Sequence, residues 1–455
     1  MTFTVEHQHV VVVGGGRSGL SAAALLASRG ANVTLSDSAS TLDGADRLRD
    51  LGVHVELGPH RPELLVAADL IVLSPGVPPT QPAVAAARRA GVPVMGEIEL
   101  ASRWINGRIV AITGTKGKST TTTLTARMLQ AAGMPAVAGG NLGMALSGQV
   151  AESRADTVHV VEVSSFQLET TETFHPWVAV LVNLSADHLD RHASFDEYAA
   201  AKARIFANQR PEDWAIVNAD DAASVALAAG TRARRFDFAL DAPIADGIAI
   251  DGQHIVRRDA GVSTRLMPLS AVHLPGRHLL ADVLAATAAA CVVGAPAAAI
   301  ERAVEEFRGL EHALEQAGEV GGVRFINDSK ATNIASARRA LESFDRGIVA
   351  IMGGRYKGGD FADLGDIAAA RVDAIVTIGE ASDRIAAALG QTVPVHHAAS
   401  MREAVQRAFT LARPGGVVLL APACSSFDMF TDYAARGRAF KDEVRALARE
   451  GRGME

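Results

Sequence analysis

The chain has 455 residues, too many for one ordinary core, so two or three domains are expected. Hydrophobic residues make up 48% and aromatics only 5%, a mix that suits alanine-rich α/β layers and argues against a β-sandwich. A net charge of −7, with no long basic run and no basic–aromatic interleaving, argues against nucleic acid as a partner; anionic ligands would have to be held by local lysines, loop N–H groups and bound metal.

The opening MTFTVEHQH lacks a basic region followed by an apolar run, and no apolar stretch approaches membrane-spanning length, so a cytoplasmic protein is expected. Residues 1–97 alternate apolar strands with amphipathic segments in a doubly wound, nucleotide-binding pattern. Val10–Val13 leads into Gly14-Gly15-Gly16-Arg17-Ser18-Gly19 and the helical run Leu20–Ser28. Val33–Leu35 ends at Asp37, and Leu70–Leu73 ends at Ser74-Pro75-Gly76. The loop matches G-x-G-x-x-G with an acidic residue after the next strand, a dinucleotide fingerprint when taken alone. Its physics suits any pyrophosphate, that of a UDP-sugar included, and a purely structural turn is the plainer alternative.

The stretch Ile109–Thr123 carries the strongest signal. An apolar strand, Ile109–Ile112, runs into Gly114-Thr115-Lys116-Gly117-Lys118-Ser119-Thr120 and on into helical sequence. The two glycines let loop N–H groups point inward, Lys118 supplies a cation for terminal phosphates, and the Ser119 hydroxyl can hold Mg²⁺. The eight-residue nucleotide-loop pattern fails only at its first position, where Ile112 stands. Further strands are expected at Val158–Val163, Val178–Leu181 and Ala215–Val217. Glu162 lies in an otherwise apolar strand, where a carboxylate is costly unless it is paired or binds metal. Asn183 to His192 form a polar cluster after another strand. His188 and His192 are spaced like a zinc pair, but without the H-E-x-x-H order or nearby thiolates, so a hard-cation site sharing His188 with a carboxylate is favoured. Lys202, on a helix around 198–204, reads by itself as a solvated charge. Segment 230–275 suggests a small antiparallel patch. Beyond residue 310, strands are expected at Val323–Ile326, Ile348–Ile351, Ala374–Ile378 and Val417–Leu420. Cys291 and Cys424 give no disulfide framework and fit a reducing compartment.

Several motifs, in this order and spread over nearly the whole chain, resemble the Mur ligase family. They are GGGRSGLS at 14–21, LSPG at 73–76, GTKGKSTT at 114–121, GGNLG at 139–143, VEVSSFQLE at 161–169, NLSADHLDRH at 183–192, YAAAKARIF at 198–206, NDSKATN at 327–333, MGGRYKGGDF at 352–361 and APACSSFDMF at 421–430. NDSKATN and ACSSFDMF point to the branch that adds D-glutamate to UDP-N-acetylmuramoyl-L-alanine. The resemblance implies an α/β fold in three domains: a Rossmann-like UDP-substrate domain at 1–97, a central mononucleotide-binding ATPase domain at 98–309, and a Rossmann-like amino-acid domain at 310–455.

Roles follow by the same resemblance. ATP would be held by Gly114, Thr115, Lys116, Gly117, Lys118, Ser119, Thr120 and, at its ribose, Asp328. Two Mg²⁺ ions would involve Ser119, Glu162, His188 and Lys202, the last as a carbamate. Lys118, Glu162, His188 and Lys202 would be the catalytic set. Gly14, Gly16, Arg17, Ser18, Asp37, Ser38, Ser74, Asn141 and His188 would contact the UDP-substrate; Lys330, Thr332, Lys357, Ser426, Phe427 and Tyr433 would position the glutamate. A monomer acting on small molecules is expected. Departures from the family pattern are Leu279 for an asparagine near adenine, Ala313 for an arginine at the ATP phosphates, Lys116 for an asparagine, and Ala39 near the UDP group. The rival readings are a ligase for another amino acid such as L-glutamate, a nicotinamide-dependent dehydrogenase, and a weakly active nucleotide-binding homologue.

Overall fold

A computed structural model describes residues 3–188 and 191–452. Their contacts form two compact units: the chain up to Val272 together with Ala281–Glu306, and His273–Leu280 together with the chain from Phe307 onward.

Val10 to Val13 are all completely buried, and alternate residues serve opposite faces. Val10 and Val12 pack with Ala22, Ala23 and Leu26, whereas Val11 and Val13 pack with Leu65, Val84 and Ala87. A strand covered by helices on both faces reads as a continuous apolar run. It is the centre of a five-stranded parallel sheet of order β3-β2-β1-β4-β5, made of β1 (His9–Val13), β2 (Asn32–Asp37), β3 (His54–Leu57), β4 (Leu70–Leu73) and β5 (Val94–Gly96). The order reverses beside β1, so the loops after β1 and β4 face one crevice, where open α/β sheets bind ligands.

The same unit holds a second parallel sheet of order β11-β10-β9-β6-β8-β7. Its strands are β6 (Arg108–Thr113), β7 (Ala136–Gly140), β8 (Val158–Glu162), β9 (Val178–Leu181), β10 (Trp214–Val217) and β11 (Arg234–Arg235). β6 lies between β8 and β9, and Ile112 is in register with Glu162. The phosphate-type loop and that carboxylate therefore leave adjacent strands at the same edge.

Segment 230–275 supplies β11 and then a small sheet of β12 (Asp237–Phe238), β13 (Gly247–Asp251), β14 (His254–Asp259) and β15 (Val262–Pro268). β13, β14 and β15 are antiparallel, as expected, but β12 pairs with β13 in parallel. A two-residue strand is too short to carry a readable pattern. The second unit is built on a sheet of order β16-β17-β21-β18-β19-β20, from β16 (Glu315–Val320), β17 (Val323–Asn327), β18 (Ile348–Gly353), β19 (Val372–Ile378), β20 (Val395–His397) and β21 (Val417–Leu420). Among the described residues β16 alone runs antiparallel in it. No helix among them is long and apolar enough to cross a membrane.

One buried carboxylate ties the two sheets of the first unit together. Glu99, on the helix after β5, is fully buried and accepts N–H bonds from Glu172, Thr173 and Phe174, a 2.5 Å bond from the Thr173 hydroxyl and a 2.9 Å bond from Arg103. Burial raises its pKa, but the donors from Thr173, Glu172 and Arg103 outweigh that and leave it below the usual carboxylate value. Glu99→Ala would strand several buried donors, so urea unfolding should show a loss of roughly 3 kcal/mol or more. Because the folded pKa is depressed, the parent's share of this stability should be present at neutral pH and fade as acid is added.

Candidate active site

The loop 114–117 is set by backbone geometry. Gly117 has φ +81 and precedes the helix Lys118–Ala131; a β-carbon there would stand 2.0 Å from the carboxylate of Asp282, which is itself buried. Only glycine fits. The loop is fastened from the side: the Lys116 N–H donates to Asn183 Oδ1 at 3.0 Å, and the Thr115 hydroxyl donates to the Ser185 carbonyl at 3.0 Å and lies 3.0 Å from the Tyr198 hydroxyl. Lys118 arches back over the loop, its ammonium donating to the carbonyls of Gly114 at 3.0 Å and Thr115 at 2.9 Å. A helix start with a lysine beside it is an arrangement that favours anions. Thr120 follows within the first turn and is buried.

Glu162 ends β8 with 2% exposure. One oxygen accepts from the Ser119 hydroxyl at 2.6 Å and the other from the Asn141 side-chain amide at 2.7 Å. A hydroxyl and a carboxylate this close are hard oxygen donors of the kind Mg²⁺ takes. Among the described residues no group of three or more His, Cys, Asp or Glu could hold a metal. The Ser119–Glu162 pair suits an ion that draws its remaining ligands from phosphate oxygens and water, the habit of Mg²⁺.

The polar cluster separates into distinct parts. His188 is exposed, with a positive φ of 56°, and its ring lies 4.9 Å from that of Phe166. Asp187 pairs with Lys116 at 3.2 Å; burial would raise its pKa, but the Lys116 charge brings it below the usual value. His192 is buried, with one ring nitrogen 3.0 Å from the Ser165 hydroxyl and the other 3.3 Å from Glu169. Both nitrogens of His192 are thus occupied, which leaves no zinc pair with His188. Asp190 lies outside the described residues.

Lys202 is not a solvated charge. Its side chain is 2% exposed, its amine donates to the Gly114 carbonyl at 2.7 Å and sits 4.7 Å from the centre of the Tyr198 ring. Burial, reinforced by the positive charge of Lys118, pulls its pKa down to about 6 against the opposing pull of Asp187 and Glu162. Burial also pushes the Tyr198 hydroxyl up to about 12.

At the first glycine loop, Gly14 adopts φ +95 and lies against Ser74, whose hydroxyl donates to the Gly14 carbonyl at 3.0 Å. A β-carbon on Gly19 would stand 1.8 Å from that same carbonyl, so this loop and its helix close up only with glycine. Asp37 braces the loop from β2, accepting from the N–H of Gly15 at 2.5 Å and of Ala39 at 2.8 Å. Gly16 and Ser38 are exposed, and Ser18 is half-buried. Arg17 reaches across to the segment after β7, donating to the carbonyls of Gly143 at 2.8 Å and Asn141 at 3.3 Å.

The second unit gathers the remaining positions at the carboxyl ends of β17, β18 and β21. Asp328 is buried and accepts from the Leu314 N–H at 3.1 Å; burial raises its pKa to about 7. The Lys357 amine is 3.5 Å from the Thr332 hydroxyl, Ser426 is buried, and Lys330, Phe427 and Tyr433 are exposed. Sequence reading missed what holds them. Arg436 is 1% exposed and bonds the Ser329 hydroxyl at 2.9 Å, the Ser329 carbonyl at 2.9 Å and the Cys424 carbonyl at 3.1 Å, joining the 327–333 and 421–430 segments. Nothing sets it apart in an arginine-rich helix. Asp282 was equally illegible. Leu279 packs against this unit's core, and the Ala313 N–H serves a turn with Leu310.

Three family models match the chain: the Mur ligase MurD-like N-terminal domain at residues 8–96, the Mur ligase middle domain at 112–290, and the Mur ligase glutamate ligase domain at 314–424. Among curated relatives, the UDP-N-acetylmuramoylalanine–D-glutamate ligase of Acidobacterium capsulatum is 47% identical over 97% of both chains. The ligase of the same name from Geotalea daltonii is 44% identical over 98% of both, and that from Koribacter versatilis is 42% identical over 98% of this chain and 99% of its own. Solved structures agree in fold. A UDP-N-acetylmuramate-alanine ligase from Thermotoga maritima gives a TM-score of 0.60 at 19% identity, covering 97% of this chain and 100% of its own. A pseudomurein peptide ligase type C from Methanothermus fervidus gives 0.59 at 17%, with the same coverage.

The buried lysine has a consequence that needs no ligand. The unfolded chain holds the Lys202 proton up to about pH 10.5 and the folded chain only to about pH 6, so the cost of this lysine is full below pH 6 and disappears as pH rises through that window. In carbonate-free buffer, Lys202→Met should therefore melt above the parent at pH 6, by at least about 2 °C. Melting curves taken at rising pH should show that gap closing; a gap that widens would contradict the burial cost.

Proposed function

The chain belongs to the Mur ligase family, and we propose that it joins D-glutamate to UDP-N-acetylmuramoyl-L-alanine at the expense of ATP, in peptidoglycan precursor synthesis. The observation that carries the site assignment is the meeting of Ser119 and Asn141 on buried Glu162 beside the 114–117 loop. The choice of D-glutamate rests on the names of relatives 42–47% identical over almost their whole length. The family's ATP dependence makes ATP and Mg²⁺ the expected nucleotide and ion.

A carboxylate is a poor acylating agent, so the alanine carboxylate first attacks the γ-phosphorus of ATP to give an acyl phosphate and ADP. The glutamate amine then attacks the acyl carbon, and phosphate leaves from the tetrahedral intermediate. Bound Mg²⁺, in two sites by this reading, offsets the repulsion between an anionic nucleophile and an anionic phosphoryl group. Lys118 would serve the phosphate oxygens, and Ser119 and Glu162 would hold the ion. Asp328 takes the ribose, and the 14–19 loop with Ser74 and Asn141 takes the UDP-substrate. Lys330, Thr332, Lys357, Ser426, Phe427 and Tyr433 position the glutamate.

Lys202 serves as a carbamate in this proposal. Only a neutral amine reacts with CO₂, and an amine whose pKa lies near 6 is mostly neutral at physiological pH. The product is an anion that can organise metal together with His188. Working domains bounded near 97 and 309, action as a monomer, and a place in the cytoplasm, where ATP and UDP-linked precursors are found, belong to the same reading.

Phosphate release with ATP, UDP-N-acetylmuramoyl-L-alanine and D-glutamate tests the whole: turnover should need all three, and L-glutamate should not replace the D form. Nicotinamide-dependent turnover would mean a dehydrogenase instead. Lys118→Ala and Glu162→Ala should each lower kcat by ~10²-fold or more with an unchanged circular dichroism spectrum. Ala313→Arg should lower the KM for ATP severalfold and leave that for glutamate nearly unchanged, because it adds a charge-assisted bond worth ~1.5–3 kcal/mol to the phosphates. An unchanged ATP KM would mean that another cation, Lys116 or Arg308, already supplies that charge.

A further inference from the structure

Arg17 stands on the first glycine loop, yet its guanidinium donates to backbone carbonyls of the segment after β7, Gly143 at 2.8 Å and Asn141 at 3.3 Å. Asn141 in turn holds Glu162 twice, its N–H donating to the Glu162 carbonyl at 2.9 Å and its amide to the carboxylate at 2.7 Å. The other carboxylate oxygen takes the Ser119 hydroxyl at 2.6 Å. One unbroken run of hydrogen bonds therefore joins the UDP-type loop to the carboxylate at the phosphate loop. Glu162 is buried and Ser119 half-buried, whereas Arg17, Asn141 and Gly143 are exposed, so the run leads from the surface of the first loop to a buried acid.

We propose that Arg17 is a positioning residue: it fixes Asn141, and through it Glu162, so that a ligand on the first loop and Mg²⁺-nucleotide on the second strengthen each other's binding. The physical reason is ordering. The segment 141–143 carries a positive-φ glycine, Gly143, and a planar guanidinium that grips two of its carbonyls removes freedom that metal binding would otherwise have to remove. Whatever orders the loop bearing Arg17 has then already ordered part of the metal site. Coupling of this kind is reciprocal and typically amounts to about fivefold or more.

This inference rests on the function proposed above, and calorimetry separates the two. Mg²⁺-ADP is titrated into the full-length protein with and without saturating UDP-N-acetylmuramoyl-L-alanine, for the parent, Arg17→Met, Arg17→Lys and Asn141→Leu. In the parent the substrate should tighten Mg²⁺-ADP by about fivefold or more. In Arg17→Met and Asn141→Leu the two dissociation constants should agree within about twofold, and Arg17→Lys, with a compact ammonium in place of a planar fork, should fall between. Arg17→Met with parental coupling, or a parent with none, overturns the inference while leaving the ligase intact. A parent that binds neither ligand overturns the function itself. Thermal melts check folding, and should Arg17→Met fail to fold, Arg17→Lys alone decides by the size of its coupling against the parent's.

Discussion

A carboxylate at 2% exposure on the end of a parallel strand must be paired, and Glu162 is paired on both oxygens by groups from two other segments. That requirement organises the site. It draws Ser119 in from the start of the phosphate-loop helix and Asn141 from the segment after β7, and Asn141 is in turn gripped by Arg17. Remove the acid and the hydroxyl and amide lose a common centre. The pairing is also a poised state, since a hydroxyl and a neutral amide hold a carboxylate firmly without neutralising it.

Positive charge is managed in the opposite way. Lys118 and Lys202 both donate to the Gly114 carbonyl, so two amines crowd one backbone oxygen. Burial and mutual repulsion favour releasing a proton from the deeper of the two, Lys202. The surface-side amine, Lys118, keeps its bonds to the Gly114 and Thr115 carbonyls at the start of the helix. Lys116, paired with Asp187 at 3.2 Å, adds a third cation to the same loop and keeps it partly compensated. A protein of net charge −7 concentrates its cationic chemistry here by local geometry, not by its overall field.

The second unit follows the same logic with the signs exchanged. Arg436 is buried at 1% exposure and satisfied almost entirely by neutral oxygens of Ser329 and Cys424, and burial lowers its pKa to about 10. It holds the 327–333 and 421–430 segments in fixed relation, leaving Phe427 and Tyr433 exposed. Asp328, one residue from this network, is buried deeply enough to sit near neutrality at physiological pH.

Local sequence determined the strands and glycine loops, because their signals are short-range. A buried parallel strand needs an unbroken apolar run such as Val10–Val13, and Gly114 and Gly117 are required by backbone conformation at their own positions. Glu162 was legible too, since a charge in such a run demands an explanation wherever the chain folds. Lys202 was not: amid alanines on a helix it reads as solvated, and only the resemblance to a family singled it out before the structure showed it buried beneath the loop. Asp282, Arg436 and the bonds that tie Arg17 to the 141–143 segment were beyond sequence reasoning, because each depends on partners between about 10 and 165 residues away, and nothing in their own neighbourhood records who those partners are. Tertiary structure alone decided which charges are buried, because burial depends on the segments that cover a residue and not on the residues beside it.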